Sequence, residues 1–126
     1  MSAWTSAELD KIDKGEELTL SSLRQDGTLR EPVIMWVVRV DEHVYVRAYK
    51  GPTSPWFRGA QTRHQGHIRA DGVEKDVAFV EESNPVVNQQ VDAAYLTKYA
   101  HYPQYVAPTV EPAAKSATLE LVPTGG

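Results

Sequence analysis

The chain has 126 residues, a formal net charge of −4 at pH 7 and no cysteine. These values predict a single cytoplasmic domain over residues 1–126, without disulfides, thiolate metal ligands or a cysteine nucleophile, and the acidic balance argues against nucleic acid as a partner. We expect neither a membrane span nor a signal peptide, because no apolar run approaches the ~20 residues of a spanning helix and the first residues contain no apolar core.

The first predicted elements are a short helix and a β-hairpin. Thr5 and Glu8 have the spacing of a capping box, and Gly15 marks the end of a helix predicted over residues 5–14. Two strand-like runs, ELTLSSLR and REPVIMWVVRV, then flank the turn pair Asp26-Gly27. The second run is apolar at nearly every position from 33 to 40, which predicts that a helix or a second subunit covers its outer face.

The middle of the chain predicts another strand, a loop and a second hairpin. The run HVYVRAYK alternates, which places Val44, Val46 and Ala48 on one face and Tyr45, Arg47 and Tyr49 on the other. The segment GPTSPWFRGAQTRHQ is rich in glycine and proline, so we predict a loop. The runs GHIRA and VEKDVAFVEE, joined at Asp71-Gly72, predict the hairpin that follows.

The last third predicts one longer helix and a closing strand. Asn84-Pro85 matches the N-cap and first helical position, and the apolar spacing continues to about Tyr102. The segment from 103 to 117 is predicted to be irregular or partly helical, and TLELVP to be a strand. Several short antiparallel strands with two helices predict an α+β fold, a small β-barrel with one helix near its end.

Positive charge concentrates between residues 24 and 69. This window holds eight Lys and Arg residues but only four Asp and Glu, on a chain that is acidic overall. Such a pattern suits a small anionic ligand. The candidate contacts in its loop are Lys50, Gly51, Ser54 and Arg58, for phosphate, and Trp56, for a ring system. The alternative is a surface connection that Trp56 fastens to the barrel.

Further candidates lie outside this loop. Arg47 and Tyr49 share a strand face and could converge on one ligand, or they could form a solvated or dimer surface. His64 and His67 lack a third ligand at a recognisable spacing, so we predict no metal site. Tyr99, His101 and Tyr102 are candidate proton donors near the end of the late helix, and the alternative is that the tyrosine rings pack on the barrel.

One long segment also carries a family resemblance. The stretch from DGTLREPVIMWVVRV to GHIRADGVEKDVAFV resembles the DUF2255 family, which is similar to deazaflavin (F420)-dependent nitroreductase-like proteins and to FMN-binding split barrels. The features that carry this resemblance are Gly27, Arg30, Pro32, residues 33–40, Lys50-Gly51, Trp56-Phe57 and Gly66-His67-Ile68. It departs from the F420 pattern in having one residue between Arg30 and Pro32 and no Trp-Tyr-His-Asn run.

The resemblance implies a split β-barrel, a homodimer with its site at the subunit interface, and a phosphate contact at Arg30. Our first hypothesis is therefore an oxidoreductase that binds FMN or F420 and acts on a small organic metabolite, with a general acid among Tyr99, His101 and Tyr102. The cofactor-binding residues would be Arg30, Arg47, Tyr49, Lys50, Gly51, Ser54, Trp56 and Arg58. Two alternatives stay open: a cofactor-free isomerase or cyclase acting on an anionic or aromatic substrate, and a non-catalytic module that binds a small ligand.

Overall fold

The computed structural model describes residues 4–48, 51, 55–70 and 72–124. The strands are β1 (Glu17–Ser22), β2 (Val33–Trp36), β3 (Val38–Val40), β4 (His43–Arg47), β5 (Gln65–Ala70), β6 (Val73–Glu81) and β7 (Thr118–Pro123). The helices are α1 (Ser6–Lys14), α2 (Pro55–Arg63), α3 (Pro85–Lys98), α4 (Pro103–Val106), a 3₁₀ turn (Ala107–Val110) and α5 (Pro112–Lys115).

The seven strands form one antiparallel sheet that curls into a nearly closed barrel. Their order is β2-β1-β5-β6-β7-β4-β3. The two end strands of this order, β2 and β3, are consecutive in the chain and are separated by Val37 alone, so one bent stretch pairs with β1 at one end and with β4 at the other. The fold is therefore α+β with a split-barrel arrangement, as the sequence predicted.

Two apolar clusters hold the barrel together. The inward faces of the strands fill the lumen together with residues from α1 and α2, including Val44, Val46 and Phe57. The second cluster lies outside the sheet, where Val91 and Tyr95 of α3 pack on Tyr45. The alternation predicted for HVYVRAYK is confirmed at the described positions, because Val44 and Val46 point inward and Tyr45 points toward α3.

The sequence patterns that predicted the starts of two helices and the turn of the first hairpin are confirmed. The Thr5 hydroxyl accepts a hydrogen bond from the Glu8 amide, and the Glu8 carboxylate accepts one from the Thr5 amide. This pair of bonds is a capping box. The Asn84 side chain caps α3 with Pro85 at its first position. Gly27 has a φ of 88°, a conformation that favours glycine in the turn between β1 and β2.

Two predictions of local structure are corrected. The segment at 55–63 is helix α2 and not a loop, because Phe57 and Ala60 bury one side of it in the barrel core. Helix α3 ends at Lys98, four residues before the predicted end, and the chain continues in three short helical turns before β7. In the single chain, α3 packs on Val38 and Val40 of the apolar run at 33–40 and leaves Ile34 65% exposed, so cover of that position by a second subunit stays a prediction. No described helix is long and apolar enough to cross a membrane.

Candidate functional site

Four arginines line one cleft, which we call the arginine cleft. Its volume is about 400 Å³ and its lining residues are Leu23, Arg24, Gln25, Asp26, Arg30, Arg58, Gly59 and Arg63. One carboxylate against four guanidinium groups gives these residues a formal charge of +3, although the whole chain carries −4. Such a concentration of cations on an acidic protein favours an anionic ligand.

Two elements bring these arginines together. The turn between β1 and β2 supplies Arg24 and Arg30, and helix α2 supplies Arg58 and Arg63. The turn is rigid because the Asp26 carboxylate accepts the amide and the hydroxyl of Thr28, at 3.0 and 2.6 Å. These two hydrogen bonds lower the pKa of Asp26, so the carboxylate stays charged and committed to the turn.

The described partners of two cleft arginines are uncharged. The Arg24 Nη1 atom donates to the Leu29 carbonyl at 3.1 Å, and the Arg63 Nη1 atom donates to the Gln25 carbonyl at 2.8 Å. Neither arginine forms an ion pair with a residue in the described parts of the chain. Carbonyl contacts orient a guanidinium group without neutralising it, so both charges remain available to an anion.

Arg30 lies against helix α2 with its Nε atom buried. Among the described residues, neither this Nε atom nor the buried Ser22 hydroxyl has a hydrogen-bond partner. A Cβ atom on Gly59 would lie 2.7 Å from the Arg30 Nε atom and 2.8 Å from the Ser22 Oγ atom, so only glycine lets the helix approach this closely. A buried polar group without a partner costs about 1–3 kcal/mol of stability.

Arg47, the second predicted ligand arginine, has a different environment. Its side chain is fully buried, and its Nη1 atom is 2.5 Å from the Asp92 carboxylate. The remaining N–H groups donate to the Thr118 hydroxyl and to oxygens of Thr109 and Asn88, so all five donors are occupied within the chain. Because no donor is left for a ligand, we do not carry Arg47 into the proposed site.

The predicted proton donors gather around Glu16. Tyr99 is buried, its ring stacks on Trp36 at 4.0 Å, and its hydroxyl donates to the Glu16 carbonyl at 2.6 Å. Burial raises the pKa of Tyr99, and the hydrogen bond to the Glu16 carboxylate raises that of Tyr102. His101 lies 3.6 Å from the same carboxylate. Tyr99 therefore fastens the end of α3 to Trp36 of β2 and to the backbone at Glu16. Tyr102 and His101, at the surface, stay candidate proton donors.

The other predicted ligand residues divide into two groups. Tyr49, Lys50 and Ser54 lie outside the described residues. Gly51 has a φ of 92°, and its amide donates a hydrogen bond to the Ala48 carbonyl. Trp56 packs against the barrel core and contacts Phe57 edge to face at 5.7 Å, which agrees with the alternative that it fastens this segment to the barrel.

A second cleft, the aromatic cleft, lies at the other end of β1. Its volume is about 290 Å³ and its lining residues are Glu17, Ile34, Met35, Trp36, Arg47, Tyr95, Gln104, Tyr105, Pro108 and Thr109. Glu17 begins β1 and Ser22 ends it, so at ~3.3 Å per residue the two clefts lie roughly 17 Å apart along that strand. No group of three or more His, Asp or Glu side chains in the described residues could hold a metal.

Sequence reasoning missed Arg24 and Arg63 as cleft residues. They are 39 positions apart in the chain and meet only because α2 packs against β1 and the turn after it. The available indication was the basic window from 24 to 69, which contains both.

Comparison with known families now assigns the chain. A family model described as an uncharacterized protein conserved in bacteria, DUF2255, matches residues 8–121. The chain belongs to the DUF2255 family. No curated protein matches this DUF2255 chain.

Solved structures similar to this DUF2255 protein share its fold at low sequence identity. A conserved hypothetical protein from Mycobacterium tuberculosis has a TM-score of 0.67 at 16% identity, over 98% of this chain and 83% of the other. An F420-H2-dependent reductase has a TM-score of 0.63 at 13% identity, over 86% and 95%. A FAD-binding protein from Mesorhizobium loti has a TM-score of 0.63 at 15% identity, over 98% and 92%.

Proposed function

We propose that this DUF2255 protein binds a flavin or deazaflavin cofactor, FMN or F420, and holds the phosphate-bearing tail of that cofactor in the arginine cleft. The observation that carries the proposal is the +3 formal charge of the cleft, with the Arg30 Nε atom buried and unpartnered. Phosphate is the anion whose oxygens best match several guanidinium donors at once. The F420-H2-dependent reductase and the FAD-binding protein with the same fold support this choice.

Within this proposal the chain's own residues bind and orient the cofactor. Arg30, from the turn after β1, and Arg58 and Arg63, from α2, would supply charge to the phosphate. Lys50 and Ser54, which precede α2 in the chain, remain predicted contacts of the same tail. The bound cofactor would supply hydride transfer, so the protein would act as an oxidoreductase of a small organic metabolite.

Tyr102 and His101 are the proton donors that the proposal retains, since both reach the protein surface beside Glu16. The predicted homodimer also remains part of the proposal, and sedimentation equilibrium of the purified protein would measure it. A monomeric mass at micromolar concentration would remove the dimer without affecting the cleft.

The test compares two ligands that differ only in phosphate. Binding of FMN and of riboflavin is measured by quenching of flavin fluorescence, and the ratio of the two dissociation constants isolates the phosphate contribution. A charge-assisted hydrogen bond contributes about 1.5–3 kcal/mol, so Arg30→Ala and Arg63→Ala should each weaken FMN binding by roughly 10- to 100-fold. Riboflavin binding should change little. F420 is titrated in parallel, read by its own fluorescence.

Arg69→Ala is the matched control. Arg69 lies on β5, is largely exposed and pairs with Glu74, so its removal deletes the same charge outside the cleft. FMN affinity of this variant should stay within twofold of the parent. Equal affinities of the parent protein for FMN and riboflavin would show that the phosphate does not bind in the arginine cleft. Equal losses of FMN affinity in Arg30→Ala and Arg69→Ala would show the same. Absence of binding by FMN and F420 alike would overturn the cofactor proposal.

A further inference from the structure

The aromatic cleft has a chemistry opposite to that of the arginine cleft. Aliphatic and aromatic side chains form most of its wall. Two of them, Ile34 and Tyr105, are 65% and 68% exposed. Exposed large apolar groups that gather around one concave surface indicate a binding site more often than scattered ones do.

Two polar side chains in the cleft wall, Arg47 and Thr109, are already satisfied by the protein. Arg47 has its charge neutralised by Asp92 and all its donors occupied. The buried Thr109 hydroxyl donates to the Val106 carbonyl at 2.5 Å. A ligand in this cleft is therefore not needed to satisfy a buried charge, and an anionic ligand would lose its hydration without gaining a donor from Arg47.

The charge that remains at the cleft is negative. Glu17 lines it and forms no ion pair with a described residue, and Glu16 precedes it in the chain. A carboxylate or phosphate on the ligand would meet this like charge at short range. The apolar wall therefore favours a ligand with an apolar ring, and the acidic residues disfavour a ligand with a negative charge.

The wall also presents a flat aromatic surface. The Trp36 ring stacks on Tyr99 at 4.0 Å with planes 4° apart, so the indole is held in a fixed orientation, and Tyr102 contacts it at 5.7 Å. Tyr105 follows one turn later on α4 with its ring largely free. The fixed Trp36 ring and the exposed Tyr105 ring suit a planar ligand, which they would hold by offset stacking or edge-to-face contacts.

We propose that the aromatic cleft binds a planar aromatic compound that carries no negative charge, a ligand class distinct from the anion of the arginine cleft. If the cofactor proposal holds, this compound is the substrate, because the candidate donor Tyr102 lies beside Trp36. The binding itself does not depend on the cofactor, since the two clefts lie at opposite ends of β1.

The test uses nicotinamide and nicotinate, which share one ring and differ in charge at pH 7. Binding is followed in ¹H–¹⁵N spectra through the indole N–H of Trp36, assigned with a Trp36→Phe variant. We expect saturable shifts with nicotinamide and about fivefold weaker binding of nicotinate, from like-charge repulsion at short range. Glu17→Gln should reduce that difference. Loss of ring contacts in Tyr105→Ala should weaken nicotinamide binding by about fivefold.

Leu96→Ala is the matched control, because Leu96 is a large exposed apolar residue of α3 outside the cleft. Tyr105 and Leu96 are both exposed, so neither substitution threatens folding. The proposal is overturned by nicotinate binding as tightly as nicotinamide, by Tyr105→Ala and Leu96→Ala behaving alike, or by no saturable shift at Trp36. FMN binding and its loss in Arg30→Ala are measured separately, so failure of this proposal and failure of the cofactor proposal are distinguishable.

Discussion

Replacing Asp92 by alanine should be among the most destabilising single changes in this protein. Asp92 supplies the carboxylate that neutralises the fully buried guanidinium of Arg47, at 2.5 Å. Its other oxygen accepts the partly exposed Lys115 at 3.0 Å. Arg47 also bonds to β7, α3 and the 3₁₀ turn, through Thr118, Asn88 and Thr109, so the charge lies where four elements meet.

The two ion pairs of Asp92 differ in their expected contribution to stability. Leaving a buried charge without its partner costs about 3–5 kcal/mol, because the guanidinium has no access to water. An exposed pair such as Lys115 with Asp92 contributes about 0–1 kcal/mol. Lys115→Ala removes only the exposed pair, whereas Asp92→Ala removes both. The difference between the two variants therefore measures the Arg47 pair.

Urea unfolding followed by far-ultraviolet circular dichroism gives both free energies. A domain of this size loses about 2 kcal/mol of stability per molar urea, so Asp92→Ala should lower the midpoint by roughly 2 M and Lys115→Ala by less than about 0.5 M. If the two variants unfold at midpoints within 0.3 M of each other, Arg47 does not depend on Asp92, and water or other acceptors must neutralise it.

Three further changes test separate parts of the structure. Gly59→Ala should lower the free energy of unfolding by about 1–3 kcal/mol in urea melts and weaken FMN binding, because the new Cβ atom meets Arg30 and Ser22. Gln61→Ala on the same helix is the control. A gain in the stability of Gly59→Ala from helix propensity would contradict the close packing at this position. Tyr99→Phe keeps the stack on Trp36 but removes the hydroxyl, and should cost about 1–3 kcal/mol; lost turnover at unchanged stability would instead restore Tyr99 as a proton donor. The Asp76 and Glu74 carboxylates raise the pKa of His67, so its stabilisation is complete below pH 6.5 and falls as the pH rises through the folded-state value; melts of the parent across pH 6–9 should show a decline that His67→Gln lacks.

Local features of the fold were predictable because they depend on neighbouring residues. The capping box at Thr5 and the Asn84-Pro85 start of α3 each need only a few positions to form. Helix α2 was missed although Ser54-Pro55 repeats the pattern of Asn84-Pro85, because the surrounding glycines and prolines outweighed it. Its apolar side, Phe57 and Ala60, is too short to show a clear helical period.

The site was less predictable because it depends on which elements meet. Strand alternation correctly placed Arg47 on the outer face of β4, but only the packing of α3 on that face shows that the guanidinium is enclosed. The arginine cleft forms where α2 closes on the turn after β1, a contact between segments that the chain brings together from about 30 positions apart. The count of charges in the sequence indicated the basic region from 24 to 69, but only the tertiary structure shows which of its arginines share one cleft.

Arg47 and Arg30, two of the three arginines predicted to bind the cofactor, differ in how their hydrogen-bond donors are used. The chain gives Arg47 a carboxylate, a hydroxyl and three further oxygens, as expected for a charge that folding must bury. Arg30, also held by close packing, keeps a buried Nε atom without a partner beside further cationic groups in an open cleft. A cluster of like charges in one cleft marks a functional site more often than a structural one. An anion that binds there would offset this positive charge, so FMN at a fixed concentration should raise the melting temperature of the parent protein by more than that of Arg30→Ala.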